Sequence, residues 1–542
     1  MTAARRTVAV AVLESLKAAG VKSVFGLPGV HNLAFWESDG FDVPTIVLAR
    51  HEQTTVYAAD GLARATGGLG VALTTTGPGV ANAAGAFGEA ASVGSPVLLI
   101  SSEVSTRTAR AGTMRGGLHE SRDQAAIFAP LAKGVFRPRT AIAAVQAVAD
   151  AAALAMQWPR GPVYVDIPID ILESLGELVP IESPIRRGVT DDAIERALEL
   201  VTRSESVVIW AGGGVVQSGA ESALVELAER LDAPVVTTWA GRGVMPSGHK
   251  LAVDLPPHER LVADLIAAAD LLIGIGTEFD GPNTKAWTLQ MPASILTINA
   301  DAVDASKNYP ADVALVGDAS AVLAQLVKRL EPRNRPSGYN LAALRDAVIA
   351  RDSSDERTAS ASTFVSAVEA AARRSEAIVI NDMSVGGYWV GGYARFAHSR
   401  RMQYPIGWGT LGYALPASLG AGVADAGPVI AICGDGGIMF ALGELAALVE
   451  TGAPVTVLLV DDGGYGMLRF DQVVNGHAER GVDLVRPDFA AVAAAFGIPC
   501  AIVKVDELEH ALNEAIDAKA PRMVLVNHRL YPPLTVSARW SE

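Results

Sequence analysis

Cysteine is almost absent. Only Cys433 and Cys500 occur in 542 residues, and neither sits in a CxxC or a Cys/His cluster. A disulfide framework and a structural zinc site are therefore not expected, and a reducing, cytoplasmic setting is. Long apolar runs are also missing. No stretch reaches the roughly 18 uninterrupted apolar residues of a membrane helix, so no span and no membrane partner are expected. The segment 1–13 holds Arg5 and Arg6 but no apolar core or small-residue cleavage site, and reads as no signal peptide. Positive charge is scarce: 44 Lys and Arg stand against 59 Asp and Glu, for a net charge of −15. So acidic a surface argues against non-specific nucleic-acid binding, although a local basic pocket can coexist with it. Charged residues are only 19% of the chain against 50% apolar, which excludes a disordered protein and supplies several buried cores.

What is abundant is an alternation of apolar strand, glycine-rich turn and alanine-rich helix. At roughly 150 residues per domain the length predicts three or four domains. Residues 71–75 read as a strand, Gly77-Pro78-Gly79 as a turn, 81–92 as a helix and 96–100 as the next strand. The pattern recurs with a strand at 429–433, the turn Gly434-Asp435-Gly436-Gly437, a helix at 438–450 and a strand at 454–460. The spacing from Gly77 to Pro96 is 19 positions and that from Gly434 to Pro454 is 20, which predicts two copies of one βαβ layout. Between them lie strands at 207–210, 234–238 and 271–275 and the turn Gly212-Gly213-Gly214. Polar stretches at 180–192, 331–338 and 351–357 separate the parts. The reading is an α/β chain of three domains near 1–180, 190–330 and 340–542, each a mainly parallel sheet flanked by helices.

The sharpest motif begins at Gly434-Asp435-Gly436. Asp435 sits where a buried strand ends and a helix begins, the edge of an open α/β sheet at which ligands bind. The glycines let backbone N–H groups approach a phosphate, and the helix start favours negative charge. A carboxylate there repels that charge unless a cation intervenes. Asp462 follows Asp435 by 27 positions and closes the next strand of the same unit, so both reach one hard cation such as Mg²⁺. Read singly, Asp435 is a helix cap and Asp462 a turn residue; the joint spacing favours the cation.

This segment resembles the thiamine diphosphate motif of the acetolactate synthase and 2-oxo acid decarboxylase superfamily, GDG followed after about 27 residues by Asn-Asn. The resemblance implies that Asp435, Asp462 and the Gly464 carbonyl hold Mg²⁺. It places Gly434, Gly436, Gly437 and Ser384, with Tyr465, Gly466 and Met467, around the cofactor. This chain departs from the pattern in carrying Asp461-Asp462 for Asn-Asn.

Arg50-His51-Glu52-Gln53 precedes a small-residue helix at 54–66. Glu52 alone reads as a helix-start carboxylate. His51-Glu52, followed by Thr76-Gly77-Pro78-Gly79-Val80-Ala81-Asn82, resembles the segment of the same superfamily whose glutamate bonds the pyrimidine N1′ and promotes removal of the C2 proton. The resemblance implies that role for Glu52, with Gly79 and Asn82 beside it. In the family the glutamate and the GDG turn meet across a subunit interface, which implies a homodimer at least and often a homotetramer.

Gly407-Trp408-Gly409-Thr410-Leu411-Gly412 fits GxGxxG, with Asp435 23 positions beyond, which admits a nicotinamide dehydrogenase as a rival reading. The feeding segment 400–405 is polar and ends in Pro405, a poor buried strand. The resemblance gives this stretch another role: Leu411 bends the cofactor, and the Gly409 and Leu411 carbonyls face its aminopyrimidine. On the substrate side His31 and His119 are candidate proton carriers. Pro28-Gly29-Val30-His31 resembles the benzaldehyde lyase and 5-guanidino-2-oxopentanoate decarboxylase branches. Gln124, Leu468, Arg469 and Phe470 are candidate pocket residues, Arg469 as the group that attracts a carboxylate. Asp471 stands where acetolactate synthase has a Trp, a departure from that enzyme, and residues 252–254 and 278–281 differ from the segments that hold its FAD, so FAD is not expected. The predicted substrate is a 2-oxo acid, decarboxylated and released as an aldehyde or joined to a second carbonyl as a 2-hydroxy ketone. Acetolactate synthase proper and a non-catalytic binding subunit remain as alternatives.

Overall fold

The computed structural model describes residues 6–110, 112–333 and 338–533. Parts of the 1–13 and 331–338 segments read above lie outside the described residues. The first sheet contains β1 (Ser23–Gly26), β2 (Thr45–Leu48), β3 (Gly70–Thr74), β4 (Val97–Glu103), β5 (Gly134–Phe136) and β6 (Val163–Pro168). Its order is β2-β1-β3-β4-β6-β5. The second holds β7 (Val207–Ala211), β8 (Val235–Thr237), β9 (Leu271–Ile275), β10 (Ser294–Asn299) and β11 (Val313–Val316), in the order β11-β10-β9-β7-β8. The third holds β12 (Ile378–Asn381), β13 (Met402–Gln403), β14 (Val429–Gly434), β15 (Val455–Asp461), β16 (Cys500–Val503) and β17 (Arg522–Asn527). Its order, β13-β12-β14-β15-β17-β16, repeats that of the first sheet strand for strand. Every strand pairing within the sheets is parallel.

The central strands are buried on both faces, which is why they read as unbroken apolar runs. All seven residues of β15 and all five of β7 are buried. Two expected helices are divided. The segment 81–92 breaks at Ala83 into Pro78–Asn82 and Ala84–Ser92. The segment 438–450 becomes a short turn of helix at Asp435–Ile438, a 3₁₀ turn at Leu442–Glu444 and a helix at Leu445–Thr451. There the i→i+3 bonds from Phe440 N–H to the Gly437 carbonyl and from Ala441 N–H to the Ile438 carbonyl tighten the chain and redirect it.

The first and third domains share one apolar core. It runs from Phe25, Val56 and Phe87 to Leu415, Leu419 and Ile432's neighbours Ala431 and Cys433. Its seam is the crossing of the Glu52–Thr66 and Ala414–Val423 helices, both rich in small residues. A Cβ on Gly61 would lie 2.1 Å from the Ala417 carbonyl oxygen, and one on Gly420 would lie 1.8 Å from that of Ala58. Backbone touches backbone at the crossing, and only glycine permits it. Among the described residues no helix is long and apolar enough to cross a membrane.

The topology removes the support for the dinucleotide reading of Gly407–Gly412. That reading needs the strand before the glycines and the strand before Asp435 to be neighbours. Here β13 and β14 lie on opposite sides of β12.

Candidate active site

The turn after β14 and the end of β15 form an acidic corner. Their register, with Gly434 opposite Val460, brings Asp435 alongside Asp461 and Asp462. Both Asp435 carboxylate oxygens are buried without a hydrogen-bond partner, as is Asp462 Oδ1. Burial, then the charges of Asp462 and Asp461, push Asp435 up to about 7. Burial also raises Asp462, against the opposing charges of Arg469 and Arg529. Orphaned buried carboxylates that repel one another fit a cation. No group of three or more His, Cys, Asp or Glu side chains arranged for a metal occurs among the described residues. The corner therefore offers two orphaned carboxylates and whatever carbonyls lie beside them.

Gly464 is buried at φ 143°, and a Cβ on it would meet the Val482 carbonyl at 2.0 Å. Gly466 begins the Gly466–Val474 helix, where a Cβ would lie 2.0 Å from Asp462 Oδ2. A Cβ built on Gly436 would lie 2.7 Å from the Tyr465 ring, and one built on Gly434 would lie 3.2 Å from Ser384 Cβ. Ser384 caps its own helix by accepting from the Gly387 N–H. Gly437 packs on Asp382, whose buried carboxylate accepts from the Met383 and Gly412 N–H groups. Sequence reasoning missed Asp382; its one signal is its place at the end of an apolar strand. It ties the Gly412 turn to the Gly437 turn.

Gly409 has φ +74° and a Cβ there would touch only Met383 Cε at 3.9 Å, Leu411 is half-buried, and Trp408 is 52% exposed. This loop rests on the first domain: the Trp408 N–H donates to Glu89, and the Trp408 ring packs on Gly88.

Glu52 opens its helix. His51 caps it, its Nδ1 accepting from the Gln53 N–H, and Gly67 ends it in the left-handed conformation. Asn82 Nδ2 donates to Glu52 Oε2 at 3.0 Å, and a Cβ on Gly79 would lie 3.2 Å from Glu52 Oε1. The helix entrance is latched to the third domain. The Arg50 N–H donates to both oxygens of buried Glu444, and Gln53 Nε2 donates to the Phe440 carbonyl. Sequence reasoning missed this latch, because 394 positions separate its partners.

His31 and His119 come together, ring centroids 5.2 Å apart. Their Nδ1 atoms are buried without partners. Burial and the neighbouring His119 lower the pKa of His31. His119 has φ +62°, a strained setting for a non-glycine residue, and its carbonyl packs where a Gly77 side chain would be.

Two pocket expectations are corrected. Gln124 is fully buried: its Oε1 accepts from Thr76 Oγ1 and the Gly77 N–H, and its Nε2 donates to the Ser102 carbonyl. It shapes the Thr76–Gly77 turn and, fully buried, presents no surface to a substrate. Arg469 is 5% exposed, bonded to Asp483 and paired with Glu479 and Asp462, so its charge is committed to protein carboxylates. Phe470 packs edge-on against Tyr531, and Met467 joins the third-domain core, while Leu468 is 48% exposed.

Comparison with known proteins finds three matching family models. Residues 6–127 match the thiamine pyrophosphate enzyme N-terminal TPP binding domain, 194–326 the central domain, and 384–527 the C-terminal TPP binding domain. A "probable 2-ketoarginine decarboxylase" of Pseudomonas aeruginosa is 34% identical, covering 94% of this chain and 92% of that one. An acetolactate synthase isozyme 3 large subunit of Escherichia coli is 32% identical, covering 95% and 93%. A "probable acetolactate synthase large subunit" of Methanocaldococcus jannaschii is 30% identical, covering 95% and 90%.

Proposed function

The chain belongs to the thiamine pyrophosphate enzymes, and from that premise we propose that it is a Mg²⁺-dependent 2-oxo acid decarboxylase or carboligase whose cofactor lies between the Glu52 helix and the Asp435 corner. The observation that carries this reading is the pair of mutually repelling, largely buried carboxylates at the ends of adjacent parallel strands: Asp435, with both oxygens unbonded, and Asp462, with Oδ1 free of hydrogen bonds. Asp435, Asp462 and the Gly464 carbonyl would hold the metal, a hard cation that suits oxygen ligands and an anionic diphosphate. Thiamine diphosphate, when bound, supplies a carbon nucleophile and an electron sink next to a carbonyl.

The remaining work falls to this chain's own groups. Glu52, steadied by Asn82, shares a proton with the pyrimidine ring nitrogen. Leu411 would support the cofactor, and Gly79, where a Cβ would lie 3.2 Å from Glu52 Oε1, would leave room for a ring beside Glu52. The partnerless Nδ1 atoms of His31 and His119 exchange protons with the substrate oxygen. Trp408, Met439, Phe440, Val473 and Val474 are exposed apolar residues of the third domain, and Val30, Leu33 and Leu118 of the first. Their exposure supports a homodimer in which a second copy of the chain covers them, assembled further to a homotetramer, with Glu52 serving its neighbour's cofactor. FAD has no role in this reading, and the setting is cytoplasmic.

The histidine pair and the Pseudomonas aeruginosa relative favour a decarboxylase acting on a 2-oxo acid such as 5-guanidino-2-oxopentanoate, which is 2-ketoarginine. Acetolactate synthase proper is the second reading, supported by the other relatives. Incubation with pyruvate, 5-guanidino-2-oxopentanoate and aromatic 2-oxo acids, with CO₂ and carbonyl products measured, tests both. Acetolactate from pyruvate supports the second reading; no CO₂ from any of them overturns the proposal.

A further inference from the structure

Three carboxylates meet where two suffice for a metal. Asp461 ends β15 beside Asp435, yet it is not among the groups proposed to hold the cation. Left bare, it would set a third negative charge against an anionic diphosphate. Asp461 is not bare: Arg486 Nη1 donates to its Oδ1 at 2.5 Å. The segment leading to Arg486 is itself clamped to the corner. The Tyr465 N–H donates to the Val482 carbonyl at 2.8 Å, and the Leu484 N–H to the Gly463 carbonyl at 3.2 Å. Gly464 and Asp483 form an antiparallel bridge between these bonds. Arg486 follows two residues on, so its reach to Asp461 is set by the turn that also presents Asp462. Arg469 cannot take over, since Asp483 and Glu479 already hold it.

We propose that Arg486 is a positioning residue for the diphosphate and its metal: by neutralising Asp461 it frees the corner of a charge that would otherwise repel the cofactor. The proposal rests on the thiamine diphosphate reading above and adds to it a residue whose role is carried through Asp461. It makes Arg486 necessary only while Asp461 is present, and the two dispensable together.

The test is calorimetric titration of the full-length protein with thiamine diphosphate at saturating MgCl₂. R486Q should weaken binding by about tenfold, the scale of one charge-assisted hydrogen bond. R486K, which keeps the charge, and the double variant D461N/R486Q should both stay within about threefold of the unaltered protein. Arg486 is 43% exposed at its side chain, so the variants should keep the fold, which circular dichroism and the melting temperature of the cofactor-free protein verify. A double variant as weak as R486Q would overturn the proposal, since Arg486 would then act on the diphosphate itself. Unchanged binding in R486Q would overturn it too. If the unaltered protein fails to bind thiamine diphosphate with Mg²⁺, the functional reading falls and this inference with it.

Discussion

The crossing of the Glu52–Thr66 and Ala414–Val423 helices should be the least forgiving place in the molecule. Consider Gly420→Ala. The new methyl would lie 1.8 Å from the Ala58 carbonyl oxygen, where ordinary contact begins near 3.4 Å. The obstacle is backbone, with no rotamer to change, so the helices must part by about 1.5 Å or tilt. Overpacking of this kind costs about 3 kcal/mol when neither side can yield. At roughly 2–4 °C per kcal/mol for a large domain, the melting temperature should fall by about 6–12 °C. The damage should also reach the site. Glu52, proposed to serve the neighbour's cofactor, begins one helix, and Gly409 and Leu411, proposed to hold this chain's own, lie just before the other, so parting them shifts proposed cofactor contacts in both sites of the dimer. A misplacement of about 1 Å can cost about 100-fold in rate. Differential scanning calorimetry and turnover on the active 2-oxo acid are the assays. A melting temperature within about 1 °C of the parent, with normal turnover, would refute the claim that this contact positions the site.

Other expectations are more local. Glu52→Gln keeps an acceptor for Asn82 but cannot share a proton, so cofactor affinity should stay within about threefold while turnover drops at least about 100-fold; normal turnover rejects the role. Asp166 is fully buried, and burial, opposed by Arg137, pushes it up to about 7. Its folded pKa lies above the unfolded value of about 3.9, so stability is full below pH 4 and falls as pH rises toward 7. Asp166→Asn should flatten that slope and gain about 4 kcal/mol relative to the parent between pH 4 and 8 in denaturant titrations; an unchanged slope contradicts it. Arg400, in the third domain, donates to the Val216 carbonyl of the second at 2.6 Å and to the Arg64 carbonyl of the first at 3.2 Å. Arg400→Ala should cost about 2–3 kcal/mol and raise hydrogen exchange around Val216 and Arg64; unchanged exchange refutes the staple.

Local signals carried the most through to the structure. The equal spacing of two strand–turn–helix units became two sheets with one strand order. Asp435 and Asp462 met because adjacent parallel strands end together, a consequence of register that sequence spacing can express. Long-range partnerships were hidden. Arg469 follows the Gly464–Gly466 turn and reads as free charge until Asp483 and Glu479 fold back onto it. Gln124 reads as a polar loop residue, yet its amide is consumed by a turn 47 positions earlier. Glu444 looks like an ordinary helix carboxylate, and its role becomes visible only when the Arg50 N–H arrives from another domain. In each case chemical type was legible and the partner was not, because the partner is chosen by packing.

The central claim is that Asp435 and Asp462 hold a cation that in turn holds thiamine diphosphate. Titration of thiamine diphosphate into the protein with Mg²⁺, and again with the metal removed by EDTA, tests it most directly. The account predicts binding with Mg²⁺, loss of binding in EDTA, and loss of binding in Asp435→Ala even with Mg²⁺ present. Equal binding with and without the metal, or undiminished binding in Asp435→Ala, would contradict it.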